Sequence, residues 1–94
     1  MQTYLVERTV PPAFRFEDPD VLARHARRAA DAYRRVGAFW LGGVITDDGM
    51  FSLAAVEQRD ELVRYARSLG IAEQDLTLRR VLRQIGPSFA GAAE

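Results

Sequence analysis

A hairpin signal near the centre of the chain constrains the fold most strongly. In FWLGGVITDDGMFSL, which starts at Phe39, two apolar runs flank Asp47-Asp48-Gly49. An Asp-Gly pair between such runs favours a two-residue β-turn. The first run carries Gly42-Gly43 shortly after the only tryptophan, Trp40. Glycine weakens a strand and has no side chain to pack. Two glycines in the strand therefore leave a space beside the indole, and this space needs an explanation.

Strand and helix patterns alternate on both sides of this hairpin. Proline and glycine pairs end the outer strands, and single glycines end the helices. The first helix starts at Asp18-Pro19-Asp20, which supplies a cap and a proline for the first turn. The predicted elements are strands over 3–10, 38–46, 50–56 and 76–85 and helices over 18–36 and 58–69.

This order, β-α-β-β-α-β, predicts a ferredoxin-like α+β fold. Its four-stranded antiparallel sheet carries two helices on one face. The length of 94 residues predicts a single domain over 1–94, with 88–94 as a flexible tail. Strand alternation places apolar side chains on both faces of the sheet. We therefore expect a homodimer that packs through the open sheet face.

Composition narrows the classes of partner and site. The chain has 13 basic and 13 acidic residues and no cysteine, which excludes disulfides and thiolate metal sites. The zero net charge and the lack of an aromatic RNA-binding motif in the third strand argue against nucleic acid. No signal peptide or membrane span is evident, so we expect a cytoplasmic protein without a membrane partner.

The glycines beside Trp40 allow two interpretations. Simple alternation places Gly42 on the same face as Trp40, which leaves a dent that suits a flat apolar ligand. Alternatively, the glycines form a bulge that bends the strand for dimer packing.

Charged residues on the outer strands supply a second set of candidates. Glu7 lies in the middle of the first strand, where an apolar pocket would make it a general base. The alternative is an ion pair with an arginine of the last strand, which offers Arg79, Arg80 and Arg83. Arg79 is also a candidate to bind a carboxylate or phosphate, because guanidinium binds these groups bidentately.

Several motifs, in this order and spacing, resemble those of a family of small bacterial proteins with a ferredoxin-like fold. Most of its members have no known function, and some are described as nickel-binding. The matching segments are YLVER at Tyr4–Arg8, Trp40, ITDD at Ile45–Asp48, VRYAR at Val63–Arg67 and IGP at Ile85–Pro87.

The resemblance implies a divalent metal ion, nickel (Ni), as an alternative ligand. This chain has Ser52 where many members have cysteine, Arg64-Tyr65 where they often have Glu-His, and Gly42 where they often have glutamate. It keeps Glu7, and His25 is its only histidine. Glu7 and His25 are therefore the metal-ligand candidates, although His25 also suits an ordinary place at the rim of a helix.

Three functions remain open from the sequence. The first is a small-molecule-binding dimer, either a cofactor-free enzyme or an accessory protein for an apolar or aromatic metabolite. Its candidate ligand-binding residues are Glu7, Trp40, Gly42, Ser52, Tyr65 and Arg79. The second is a nickel-binding protein, as the resemblance implies. The third is a structural dimer that binds nothing, in which Tyr65 fills the core and the glycines serve packing.

Overall fold

The sheet is built around its first strand, which pairs on both sides. The computed structural model describes residues 1–9 and 18–86. In chain order these form β1 (Gln2–Thr9), α1 (Pro19–Arg35), β2 (Phe39–Ile45), β3 (Gly49–Val56), α2 (Asp60–Ser68), a 3-10 turn (Glu73–Asp75) and β4 (Leu76–Arg80). The strand order is β2-β3-β1-β4 and every neighbouring pair is antiparallel. The predicted ferredoxin-like α+β fold is confirmed.

Local signals explain where α1 begins and ends. The carboxylate of Asp18 accepts a hydrogen bond from the Asp20 amide at 2.8 Å, and Pro19 occupies the first turn. This arrangement satisfies an amide that the helix leaves unpaired. Beyond the last turn, Gly37 has a φ of +84°, a conformation that glycine adopts without strain. The start and stop predicted from these residues are confirmed.

The last strand is shorter than predicted. It ends at Arg80 and not at Ile85, although the Val81 amide still donates to the Thr3 carbonyl at 2.8 Å. In the antiparallel register Arg80 lies opposite Tyr4, and β1 begins at Gln2. Residues 83–86 therefore pass the end of this partner strand and do not extend its ladder. The predicted end of β1 at residue 10 and the predicted tail over 88–94 lie outside the described residues.

The two faces of the sheet differ in what covers them. On the helix-covered face, α1 and α2 bury a core that includes Tyr4, Val6, Ala54, Val56 and Leu62. The opposite face, called here the open face, carries the alternate residues of each strand. Its apolar members are Leu5, Phe39, Val44, Phe51, Leu53 and Ala55.

Candidate functional site

A β-bulge in β2 decides which residues lie beside Trp40. Trp40 is opposite Ala54 and Gly42 is opposite Leu53, so Leu41 is an extra residue in the register. The extra residue reverses the alternation beyond it. The prediction that Gly42 shares the face of Trp40 is therefore wrong: Gly42 lies on the open face. The bulge itself, the alternative drawn from the same glycines, is present, and its role in dimer packing stays a prediction.

Gly43 takes the position beside Trp40 that the sequence assigned to Gly42. It is opposite Ser52, on the helix-covered face. A Cβ atom at Gly43 would overlap the Phe51 carbonyl oxygen and would lie 3.0 Å from Ser52 Oγ. The two backbones approach too closely for any side chain. By contrast, Gly42 faces open space, and a Cβ atom there would meet nothing within 4 Å. Glycine is needed at this position because its φ is +113°, a backbone conformation that other residues disfavour.

A pocket of about 200 Å³ opens between the first half of α1 and the β2–β3 hairpin. Its walls are mainly apolar, and its polar side chains are an imidazole, a hydroxyl and an indole. The lining residues are Leu22, His25, Ala26, Trp40, Gly43, Ile45, Met50 and Ser52, together with Val44 and Phe51, whose side chains the strand register places on the open face. The predicted dent beside the indole thus exists, with Gly43 in place of Gly42. Strand alternation missed Gly43 because the sequence does not mark which residue is the bulge.

The indole of Trp40 carries an unpaired donor. Its Nε1 atom is buried and has no hydrogen-bond acceptor in the described part of the chain. A buried donor without a partner costs about 1–3 kcal/mol. Such groups are rare in folded proteins and each calls for an explanation.

Three hydroxyl groups meet at the inner side of this region. The rings of Tyr33 and Tyr65 are stacked, with centroids 3.8 Å apart and an interplanar angle of 11°. Side-chain hydrogen bonds link the Tyr33 hydroxyl to the hydroxyls of Tyr65 and Ser52. Burial raises the pKa of both tyrosines, and for Tyr33 the neighbouring Tyr65 raises it further. Both phenols therefore stay protonated at neutral pH and can donate or accept.

His25, which lines the pocket, lies near the positive charges of two arginines. Partial burial lowers the pKa of His25, and the Arg8 and Arg28 guanidinium groups lower it further. The histidine is consequently neutral at pH 7, the form in which one ring nitrogen carries a proton and the other does not. Sequence reasoning missed Arg8, although its position two residues after the buried Val6 places it on the helix-covered face.

Glu7 and Arg79 lie on the other side of the sheet. Arg79 Nε is 3.7 Å from Glu7 Oε2, and the two side chains are 66% and 34% exposed. This contact agrees with the ion pair proposed as the alternative for Glu7. The sheet therefore divides the predicted site residues: Trp40, Ser52 and Tyr65 share the helix-covered face, whereas Glu7, Gly42 and Arg79 share the open face.

The same division bears on the metal that the resemblance implies. Glu7 faces away from His25, because His25 lies on α1 and lines the pocket on the helix-covered face. Within residues 1–9 and 18–86, no three histidine, aspartate or glutamate side chains are grouped as metal ligands would be. Ser52 and Tyr65 offer neutral hydroxyls, which bind nickel poorly compared with imidazole or thiolate. These residues do not fit a nickel site.

Comparisons with known proteins do not assign this chain to a family. No protein-family model matches the chain, and a search of the curated proteins finds no match either. The resemblance drawn from the sequence motifs therefore stays a prediction. Among the described residues, neither helix has the length and apolar character needed to cross a membrane.

Proposed function

We propose that this chain binds a small apolar or aromatic molecule in the pocket beside Trp40. The pocket itself is the observation that carries the proposal: apolar walls with a few polar groups are typical of ligand sites. A cavity of about 150 Å³ is known to accept benzene, so about 200 Å³ suits a single substituted ring.

The polar groups around the pocket support a ligand with a hydrogen-bonding substituent. His25 and Ser52 both line it, and His25 is neutral at pH 7. The buried indole N–H of Trp40 lacks an acceptor among the described residues. A ligand oxygen that reached this N–H after a small rotation of the ring would remove its desolvation cost. The proposal covers both a protein that only binds this molecule and a cofactor-free enzyme that transforms it.

The direct test is a titration with benzyl alcohol, followed by fluorescence of the single tryptophan. A ligand of this size is expected to bind with a dissociation constant of about 0.1–10 mM. Ala26→Leu adds side-chain volume to the pocket from α1 and should weaken binding at least tenfold. Ala23→Leu is the matched control, because Ala23 lies on the exposed side of the same helix. Failure to see any binding, or equal binding by both variants, would contradict the proposal.

The open face supports a homodimer as the form in which the protein acts. Phe39 and Val44 are 60% and 61% exposed there, and exposed apolar patches of this kind mark protein interfaces. The Glu7–Arg79 pair adds complementary charges on the same face, which suits a two-fold contact in which each patch meets its own copy.

Sedimentation velocity of two variants tests the dimer. Phe39→Glu introduces a charge on the open face and should convert the dimer to monomer. Leu82→Glu is the matched control, because Leu82 is 84% exposed but lies beyond β4. A wild-type chain that sediments as a monomer would overturn the dimer without affecting the pocket.

A further inference from the structure

A small crevice adjoins the pocket on the side of the tyrosine hydroxyls. It is lined by Arg8 and by the side chains of Ser52, Tyr33 and Tyr65, together with Val6, Met50, Ile71 and Leu76. Its volume is about 10 Å³, which is room for a single water-sized group. Ser52 and Met50 line both the crevice and the pocket, so the two spaces are neighbours separated by these side chains.

Among the described lining residues of the two spaces, the charged side chain at neutral pH is that of Arg8. Their described linings contain Arg8 and His25 but no aspartate or glutamate. Among the described residues, the ion pairs join Arg34 to Asp31 and Arg79 to Glu7, and Arg8 belongs to neither. A partly buried guanidinium beside three hydroxyls is thus a site with donors for an anion and no carboxylate to neutralise it.

We infer that the natural ligand is a small apolar or aromatic carboxylic acid, whose ring occupies the pocket beside Trp40 and whose carboxylate binds Arg8 at the crevice. This inference rests on the proposed function and names the chemical class of its ligand. One carboxylate oxygen enters the crevice, where it accepts the one hydroxyl proton that the hydrogen bonds among Ser52, Tyr33 and Tyr65 leave over. The other oxygen stays at the mouth with the guanidinium. The narrow crevice admits one oxygen, which a planar carboxylate presents with less bulk behind it than a tetrahedral phosphate does.

The test compares probes that differ only in charge. Phenylacetate and its neutral isostere phenylacetamide are titrated against the wild-type chain, with the fluorescence of Trp40 as the readout. Phenylacetate should bind at least tenfold more tightly, since hydrogen bonds to charged groups are the stronger ones. In Arg8→Gln the two probes should bind within about twofold of each other, with phenylacetamide unchanged. Arg64→Gln is the matched control, because Arg64 is exposed on α2 and lines neither space.

The outcomes separate this inference from the proposed function. If neither probe binds, the pocket proposal fails and this inference fails with it. If both bind equally to the wild-type chain, the pocket stands and the anion site is wrong. A preference for phenylacetate that survives Arg8→Gln overturns the role of Arg8, and tighter binding of phenyl phosphate overturns the choice of carboxylate. Should Arg8→Gln not fold, the Nε–Hε NMR signal of Arg8 in the wild-type chain decides: it must shift with phenylacetate and not with phenylacetamide.

Discussion

The two ends of the helix-covered face are packed very differently. At the end away from the hairpin, Val56 and Leu62 have no exposed surface and Tyr33 is 1% exposed. At the hairpin end, Leu22, Ala26 and the other lining residues leave a pocket of about 200 Å³. The layers are the same, but the second half of α1 meets a complementary surface and the first half does not. One end of this layer stabilises the fold, whereas the other leaves room for a ligand.

Truncation of a leucine at each end should give the largest effect. Leu62→Ala is expected to lower the free energy of unfolding by about 2–5 kcal/mol, because a buried cavity replaces its contacts. Leu22→Ala should cost only about 1 kcal/mol, since much less of this half-buried side chain is withdrawn from water. Urea denaturation of both variants measures the difference. Equal costs would mean that the hairpin end is as tightly packed as the other.

The close approach of β2 to β3 provides the second prediction. Gly43→Ala should destabilise the chain by about 1–3 kcal/mol, because its Cβ has to displace the backbone of Phe51 or the hydroxyl of Ser52. The emission of Trp40 should change as well, since the same backbone forms the wall beside the indole. Gly86→Ala, where a Cβ meets nothing within 4 Å, should stay within about 0.5 kcal/mol of the wild type.

The buried tyrosine pair predicts the alkaline limit of the fold. The raised pKa of Tyr33 means that its contribution to stability is fully present below pH 10.0, the ordinary value. It is lost as the pH rises above that value, because the unfolded chain releases this proton more readily. Tyr33→Phe should cost about 1 kcal/mol at neutral pH and reduce the alkaline loss. Tyr4→Phe, which removes a hydroxyl outside this pair, serves as the control for the pH profile.

The smallest effect is expected at low pH, at the pocket end. Because burial and the charges of Arg8 and Arg28 lower the pKa of His25 below 6.5, the unfolded chain binds its proton first. Stability should therefore be full above pH 6.5 and decline as the pH falls through the folded pKa. The proton NMR signal of this single histidine gives the pKa directly. A value at or above 6.5 would contradict the prediction, and His25→Asn should flatten the stability profile in this range.

The sequence alone predicted the fold well, and the reasons are local. The position of the hairpin, the cap at Asp18 and the strand alternation around Tyr4 and Val6 each depend on residues close together in the chain. The turn itself differs from the predicted Asp-Gly turn: the Thr46 amide donates to the Gly49 carbonyl, so Asp47 and Asp48 form the two-residue loop and Gly49 is the first residue of β3. The end of β4 could not be predicted in the same way. Its alternation continues to residue 85, but a strand needs a partner, and β1 begins too late to pair with those residues.

The candidate site was predictable only in part. Trp40, Ser52 and Tyr65 were named from the sequence as candidate ligand-binding residues, and a space beside the indole was expected from the glycines. The glycine that lies beside Trp40 was not predicted correctly, because one extra residue in β2 exchanges the faces of Gly42 and Gly43. Glu7 was grouped with Ser52 and Tyr65 from the family resemblance, and the sheet places it on the opposite face.

The sequence by itself determined the α+β class, the order of the elements, the absence of thiol chemistry and the apolar character of both sheet faces. These follow from composition and from short-range periodicity. Only the tertiary structure decided that Gly43 lies beside Trp40 and that Glu7 pairs with Arg79. It also decided that Arg8 lines the same crevice as three hydroxyl-bearing side chains next to the pocket. Each of these depends on the register between strands and on which helix covers which residues, and such long-range contacts leave no periodic mark in the chain.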